Sequence, residues 1–230
     1  MRMTADDLFR RWQERIERIR NELHYVFSTR RNFRDVQDMF RNNKQLNDVG
    51  SQAYEWLLGI WGLDAVMAVR RELDPDSNTV AMGTMLDEMA ARAPVLTRRR
   101  YLSFAPDHEP MRLQILNRLF DGYGAVRPND DRMADHLSPD GINGDREQLE
   151  QAAAPALEYA NQYIAHRTPI DDPTVKVSDI NDAIDSLEPV FTKYYAILVG
   201  PALTALEPTN IGDDINEAFK FPWYVIGQND

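Results

Sequence analysis

The residues best suited to chemistry lie together in residues 158–172, near the end of a predicted helix. Glu158, Gln162 and His166 follow one another at four-residue spacing, which places them close to one face of a helix. A histidine, with an ordinary pKa of about 6.5, both takes and gives a proton at neutral pH. His166 is therefore a candidate general base or acid, and the adjacent Arg167 is a candidate ligand for an anionic phosphate.

A purely structural role for His166 is also open. A histidine in the last turn of a helix is stabilised by the helix dipole and can bond to carbonyl groups that have no partner within the helix. On the same predicted helix, Ala160 and Ile164 lie on another face, which we assign to the core, and the large Tyr163 flanks both faces. The two roles of His166 stand as alternatives.

Several other kinds of site are excluded by residue types. The 230 residues include no cysteine, so disulfides, thiolate catalysis and cysteine-ligated zinc cannot occur. The four histidines form no H-x-x-x-H pair, and the glycine-rich motifs that bind nucleotide phosphates are missing, as is the G-x-S-x-G nucleophile elbow. We therefore expect neither a metal nor another cofactor.

The composition is that of a folded protein. Hydrophobic residues make up 43% of the chain, enough for a sizeable core. The net charge of -11 argues against a surface that coats nucleic acid broadly. No apolar run approaches the roughly 20 residues that span a bilayer, and residues 1–20 lack the apolar region of a secretory signal. We expect a cytoplasmic protein that does not contact membranes.

The first predicted element is a long amphipathic helix that begins at Thr4. Thr4 and Asp7 stand three residues apart, as the members of a capping box do, although glutamate or glutamine is the usual second member. The pattern weakens at residues 28–29, and one long kinked helix or two helices are both compatible with it. Its apolar residues recur at three- and four-residue spacing, and they are Leu8, Trp12, Ile16, Ile19, Leu23, Phe33, Val36, Met39 and Phe40.

A second predicted helix, from about Asp48 to Leu73, is apolar over more than half its circumference. Such a helix is usually central in a bundle, and it carries too much apolar surface to be peripheral. We expect a two-fold symmetric homodimer that buries at least about 1,200 Å² in total. The residues predicted to be largely buried are Trp12, Leu57, Leu58, Trp61 and Ile164.

The remaining elements are shorter helices separated by turn-rich segments. The predicted fold is an all-α bundle in a single domain, residues 1–230, with at least five helices, extended loops and no sheet of three or more strands. The later helices are predicted at about 79–92, at 111–122, from Asp145 to near His166 with Pro155 as a kink or a later start, and from Ser178 to Leu198 or Leu206. Residues 124–146 are predicted to be a long exposed connection, and residues 207–230 an apolar tail packed on the domain.

Taken together, these features resemble the HEPN superfamily. A mostly helical bundle with an R-x(4–6)-H motif late in the chain is typical of that superfamily. The Ala-His pair at 165–166 with the following Arg-Thr-Pro is similar to its abortive-infection, AbiU-like branch. The stretch G-L-D-A-V-M-A-V-R-R-E-L-D-P-D at 62–76 and the Pro-Trp pair at 222–223 resemble the same branch.

The resemblance implies a metal-independent endoribonuclease in which two protomers line one cleft. His166 matches the motif histidine, which would act as general base or acid when an RNA 2′-hydroxyl attacks the adjacent phosphate. Asn161 matches the polar residue that often follows the motif arginine, and we count it with His166 as a candidate catalytic residue. The motif arginine itself would stabilise the charge that develops on the phosphate.

This chain departs from the motif at the arginine, which should fall near residue 160, where the sequence has Ala160. The candidate substrate-binding residues are accordingly Arg167, then Arg70 and Arg71, together with Tyr163. If the alanine is the defect, Ala160→Arg should raise RNA cleavage.

Two functions follow as expectations. One is RNA-directed defence or stress response, carried out by an endoribonuclease with a degenerate motif. The other is a non-catalytic helical interaction module, antitoxin-like or scaffold-like. The expected partners are a second copy of the chain, an RNA or nucleotide ligand, and a cognate toxin or antitoxin.

Overall fold

The computed structural model describes residues 3–44, 51–105, 109–127, 135–165, 175–201 and 205–207. Most of these residues are helical, and the predicted all-α fold is confirmed. The helices are α1 (Ala5–Asn42), α2 (Ser51–Glu72), α3 (Met82–Ala91), α4 (Arg98–Leu102), α5 (Pro110–Gly122), α6 (Pro139–Tyr159) and α7 (Val177–Leu198). The other elements are a 3-10 turn at Ala93–Val95, a π-helical turn at Ala160–Ala165, and the two short strands β1 (Ala125–Val126) and β2 (His136–Leu137).

Helix α1 is one continuous helix of 38 residues, which decides between the two alternatives that the sequence left open. The capping box at its start is confirmed, because the Thr4 side chain accepts a hydrogen bond from the Asp7 amide at 3.1 Å and the Asp7 carboxylate bonds back. The helix continues through the weaker stretch, where Val26, Phe27 and Phe33 are buried and the Ser28 hydroxyl donates to the His24 carbonyl at 2.7 Å. A serine bond to the preceding turn does not itself stabilise a helix, so the continuity of α1 here comes from the packing of its buried face.

Helices α1 and α2 run antiparallel. The Gln37 side chain donates to the Tyr54 hydroxyl near the start of α2, and Phe33 stacks on Trp61 with a centroid distance of 4.2 Å. Toward the end of α2, Arg71 lies 3.8 Å from Glu22. The residue numbers of the α1 partners therefore decrease as those of the α2 partners increase, which is the pattern of antiparallel helices.

Helix α7 also runs antiparallel to α1 and forms a hairpin with α6. Arg30, which is buried, pairs with Asp185 early in α7. At the other end of α7, the side chain of Gln13 donates to the Leu198 carbonyl at 2.6 Å. These helices, with α2 and α3, surround one hydrophobic core, and α4, α5 and the strand pair cover one end of it.

The segment predicted as a long exposed connection, residues 124–146, is shorter than expected. It contains the paired strands β1 and β2, and α6 begins at Pro139 instead of Asp145. The signals for this earlier start are Ser138, whose side chain accepts from the Gly141 amide, and Pro139 at the first helical position. The sequence analysis missed these two signals because the first two turns of α6 are rich in glycine and asparagine, which are typical of loops.

The burial predictions are confirmed in part. Trp12 and Trp61 are buried, whereas Leu57 and Leu58 are only half-buried, so the prediction for those two leucines was wrong. The side chain of Ile164 lies outside the described residues. Leucines 57 and 58 precede the part of α2 that α1 and α7 cover together, which is why they keep partial contact with solvent. Among the described residues, no helix is both long enough and apolar enough to cross a membrane.

Candidate functional site

The stretch that precedes His166 forms a π-helical turn, Ala160–Ala165, which continues α6 directly. Helix α6 passes through Pro155 without ending, so the proline is neither its start nor its stop. Turns of the π type are rare and occur often at functional sites, because the wider turn changes the direction in which the following side chains point. The turn packs against α2 as well as α6.

Two neighbouring residues of this turn have opposite environments. Ala160, at the position where the motif arginine should fall, has 0% of its surface exposed and belongs to the core. Asn161 is exposed. The predicted shared face of Glu158 and Gln162 is present, since the Gln162 amide donates to the Glu158 carboxylate at 3.0 Å. The polar face of this helix end thus faces solvent, while the position of the missing arginine faces the interior.

The other predicted site residues are only partly described. His166 and Arg167 lie outside the described residues, as does the side chain of Tyr163, so their assigned roles stay predictions. Arg70 and Arg71 form the last turn of α2, where Arg70 is half-buried and Arg71 pairs with Glu22.

The position of Arg70 and Arg71 along α2 can be related to the α6–α7 hairpin. Gly62 lies where an added Cβ would be 3.8 Å from Ile180, in the first turn of α7. Because a helix rises 1.5 Å per residue, Arg70 lies roughly 12 Å further along the axis than Gly62. These two arginines therefore extend away from the start of α7.

A charged groove that the sequence did not predict runs between α1, α3 and the turn that joins α2 to α3. It comprises two adjoining cavities of about 350 and 340 Å³, both lined by Arg11, Arg15 and Ser77. Arg15 donates to Glu88 at 3.0 Å and to the Thr84 hydroxyl at 2.7 Å, and burial lowers the pKa of its guanidinium. The basic lining residues are Arg11, Arg15 and Arg18, and the acidic ones are Glu14, Asp87 and Glu88, so the charges balance.

Glu88, one of the three acids that line this groove, has a structural role. Glu88 accepts from Arg11 at 2.6 Å, from Trp12 Nε1 at 3.0 Å and from Arg15. All three donors lie on α1 and the acceptor lies on α3. The network therefore fixes one helix on the other and leaves little unpaired charge with which to attract an anion.

A second unusual acid, Glu72, is buried at the end of α2, with 3% of its surface exposed. Its carboxyl accepts a hydrogen bond of 3.1 Å from the amide of Met82, the first residue of α3. The N-cap residue of α3 is Ala81, which has no side-chain acceptor, and Glu72 supplies one from the preceding helix. Burial raises the pKa of Glu72 to about 8.

The outward face of α2 is apolar and exposed. Trp56 is 65% exposed, Ile60 49% and Leu63 48%, and they follow one another at four- and three-residue spacing. We call the full stripe on this face the outer seam, and its members are Ala53, Trp56, Ile60, Leu63, Met67 and Arg70. The inward face of the same helix contributes Trp61, Ala65, Val66, Ala68 and Val69 to the core. The high apolar content of this helix thus divides into two faces, and the residues that the structure describes cover only the inward one.

A smaller exposed apolar stripe lies on α5. Met111, Ile115 and Leu119 follow at four-residue spacing and are all exposed, while Leu116 and Phe120 of the same helix are buried. Arginines 112 and 118 are also exposed on this helix.

The fold and these surfaces define an all-α helical bundle with an apolar helix face that is exposed among the described residues. Comparisons of the chain with protein-family models, with curated proteins and with solved structures found no match. Within the described part of the chain, no three histidine, aspartate or glutamate side chains are grouped so that they could hold a metal ion.

Proposed function

We propose that this protein is a non-catalytic, HEPN-like helical interaction module that works as a homodimer. The observation that carries the proposal is the outward face of α2, where Trp56, Ile60 and Leu63 are about half exposed or more. Large contiguous apolar surfaces on a folded domain mark interaction sites, because leaving them in water costs free energy that a partner recovers.

The environment of Ala160 supports the non-catalytic part of the proposal. Phosphate binding at the motif position requires a cation that solvent and RNA can reach, and this position holds a fully buried alanine. Arg71, one of the proposed substitutes, already pairs with Glu22. The arrangement therefore favours binding over RNA cleavage.

The test combines light scattering with an RNA assay. Purified full-length protein at tens of micromolar should have the mass of a dimer, because the exposed face on α2 must be covered. The same preparation, incubated with mixed RNA, should leave the RNA uncleaved. A monomer at that concentration, with no cleavage, would contradict the proposal.

A second function, metal-independent cleavage of RNA in defence or stress response, is favoured by one observation. The residues before His166 form a π-helical turn on which Asn161 is exposed, and such turns occur often at functional sites. In this case His166 is the general base or acid, and Arg167 of the same chain or of the second copy supplies the cation that Ala160 cannot.

If the protein is a ribonuclease, His166→Ala should lower cleavage by a factor of roughly 100 to 10,000, because that is the usual contribution of a general base. Cleavage of mixed RNA by equal amounts of both proteins measures the effect. His24→Ala is the control, since His24 lies on α1 and should leave the rate unchanged. Equal cleavage by the parent and His166→Ala would exclude His166 as the general base or acid and with it this function.

A further inference from the structure

The outer seam of α2 has the spacing of a coiled-coil seam. Its six members are separated by three, four, three, four and three residues, which is the a/d pattern of a heptad repeat. Ala53, Trp56, Ile60 and Leu63 are exposed, and the last two members are half-buried. A helix that packs on the core with one face and faces solvent with the other needs only one apolar stripe. Helix α2 already has such a stripe on its inward face. The second stripe therefore fits another helix.

The spacing of the outer seam is the same when it is read in either direction. It is symmetric about a point midway between Ile60 and Leu63. Two copies of α2 packed antiparallel about a two-fold axis at that point bring Ile60 of one copy against Leu63 of the other. The same register brings Trp56 against Met67, and Ala53 against Arg70. A two-fold interface requires such self-complementarity, because the same patch serves on both copies.

The shapes along the outer seam also fit this register. Gly59 is exposed, and a Cβ built on it would have no atom within 4 Å. The backbone of the second helix can approach closely there, between the bulky Trp56 and Ile60 side chains. The 65% of Trp56 that is exposed amounts to on the order of 150 Å² for each copy, since a buried tryptophan accounts for up to about 250 Å².

The charges beside the outer seam favour the antiparallel direction. Glu55 is exposed near the start of α2, and Arg70 and Arg71 are in its last turn. Parallel packing brings the arginine pairs of both copies together at one end of the interface, whereas antiparallel packing places them at opposite ends, roughly 25 Å apart. Opposed helix dipoles also favour the antiparallel arrangement.

We propose that the outer seam is the homodimer interface and that the two α2 helices pack antiparallel in the register Ile60 against Leu63. This inference rests on the proposed function, because it names the partner of the apolar face on which that function depends. It also assigns Trp56, Ile60 and Leu63 to the interface, three residues that the RNA-cleaving site does not use.

The direction and register can be tested by disulfide cross-linking, because the chain has no cysteine of its own. A mixture of the Ala53→Cys and Arg70→Cys proteins should form a heterodisulfide under mild oxidation. Neither variant alone should form a disulfide dimer, because 17 residues place equivalent positions roughly 25 Å apart along antiparallel helices. A disulfide dimer of Ala53→Cys alone would indicate parallel packing and overturn the inference.

The choice of face can be tested with two matched substitutions. Ile60→Glu places an unpaired charge in the outer seam and should raise the dimer dissociation constant by about 100-fold or more. Ile115→Glu is the control, because Ile115 is 52% exposed on α5 and Ile60 is 49% exposed on α2. It should leave the dimer intact, and circular dichroism should show both variants folded.

The outcomes separate this inference from the function on which it rests. A dimer that survives Ile60→Glu and dissociates with Ile115→Glu keeps the interaction module and overturns the outer seam as its interface. A parent that is monomeric, and that dimerises only when residues 208–230 are removed, assigns the outer seam to the chain's own apolar tail and overturns both. Loss of the dimer in Ile60→Glu alone supports the inference.

Discussion

Ala160→Arg should destabilise the protein by about 3 to 5 kcal/mol, a large part of the 5 to 15 kcal/mol of a typical domain. Ala160 has 0% exposure and packs among core residues, so an arginine there either carries an unpaired charge into the core or forces the π-helical turn off α2. The sequence alone predicts that this substitution restores the HEPN-like motif and, if the alanine is the defect, raises RNA cleavage. The burial of Ala160 reverses that expectation.

Asn161→Arg is the matched control for this prediction. The same side chain enters one residue later, where the native residue is exposed, and the stability should change by no more than about 0.5 kcal/mol. Urea denaturation followed by circular dichroism measures both variants. If the Ala160→Arg protein is as stable as the Asn161→Arg protein, position 160 reaches solvent and the prediction is wrong. Increased RNA cleavage by the Ala160→Arg protein would support the function of an RNA-cleaving enzyme.

Glu72→Gln should make the protein more stable at alkaline pH and flatten the dependence of stability on pH. The pKa of Glu72 is raised from 4.5 to about 8 in the folded protein, chiefly by burial. The folded state therefore holds a proton that the unfolded state releases above pH 4.5. The stability that this protonated carboxyl contributes is full below pH 4.5 and is lost as the pH rises through about 8.

The effect between pH 5 and pH 8 should be on the order of 3 kcal/mol, since each pKa unit corresponds to about 1.4 kcal/mol. Urea denaturation of the parent and Glu72→Gln at the two pH values measures it, and the difference between the proteins should widen at pH 8. Glutamine keeps the acceptor for the Met82 amide, so the cap of α3 is preserved. Glu14→Gln is the control, because Glu14 is exposed on α1. Parallel pH curves for the parent and Glu72→Gln would contradict the prediction.

Local features of the sequence predicted most of the helices correctly. The three- and four-residue spacing from Leu8 to Leu23 and the Thr4–Asp7 capping box determine α1, because both act within one or two turns of the chain. The helix at 111–122 and the turn before α3 were predicted for the same reason. The error at the start of α6 came from residues 139–145, where a cap and a proline stand among residues that usually form loops.

The tertiary structure decided everything that depends on distant segments. Glu72 became a buried cap because α3 folds back over the end of α2. No spacing pattern in the sequence predicts the hydrogen bond between residues 72 and 82. Ala160 became a core residue because the π-helical turn lies against α2. The sequence offered an alanine and could not show whether its environment would admit an arginine.

Helix α2 shows the division most directly. The sequence alone determined that apolar residues surround most of the helix, because this depends only on the residue types and their spacing. Only the packing decided which of them form the interior: α1 stacks Phe33 on Trp61, and α7 places Ile180 beside Gly62. A helix turns 100° per residue, so neighbours that cover Trp61 leave Trp56, Ile60 and Leu63 on the opposite side. That placement, which arises from contacts between segments far apart in the chain, turned an ambiguous apolar helix into one with an inner face and an outer seam.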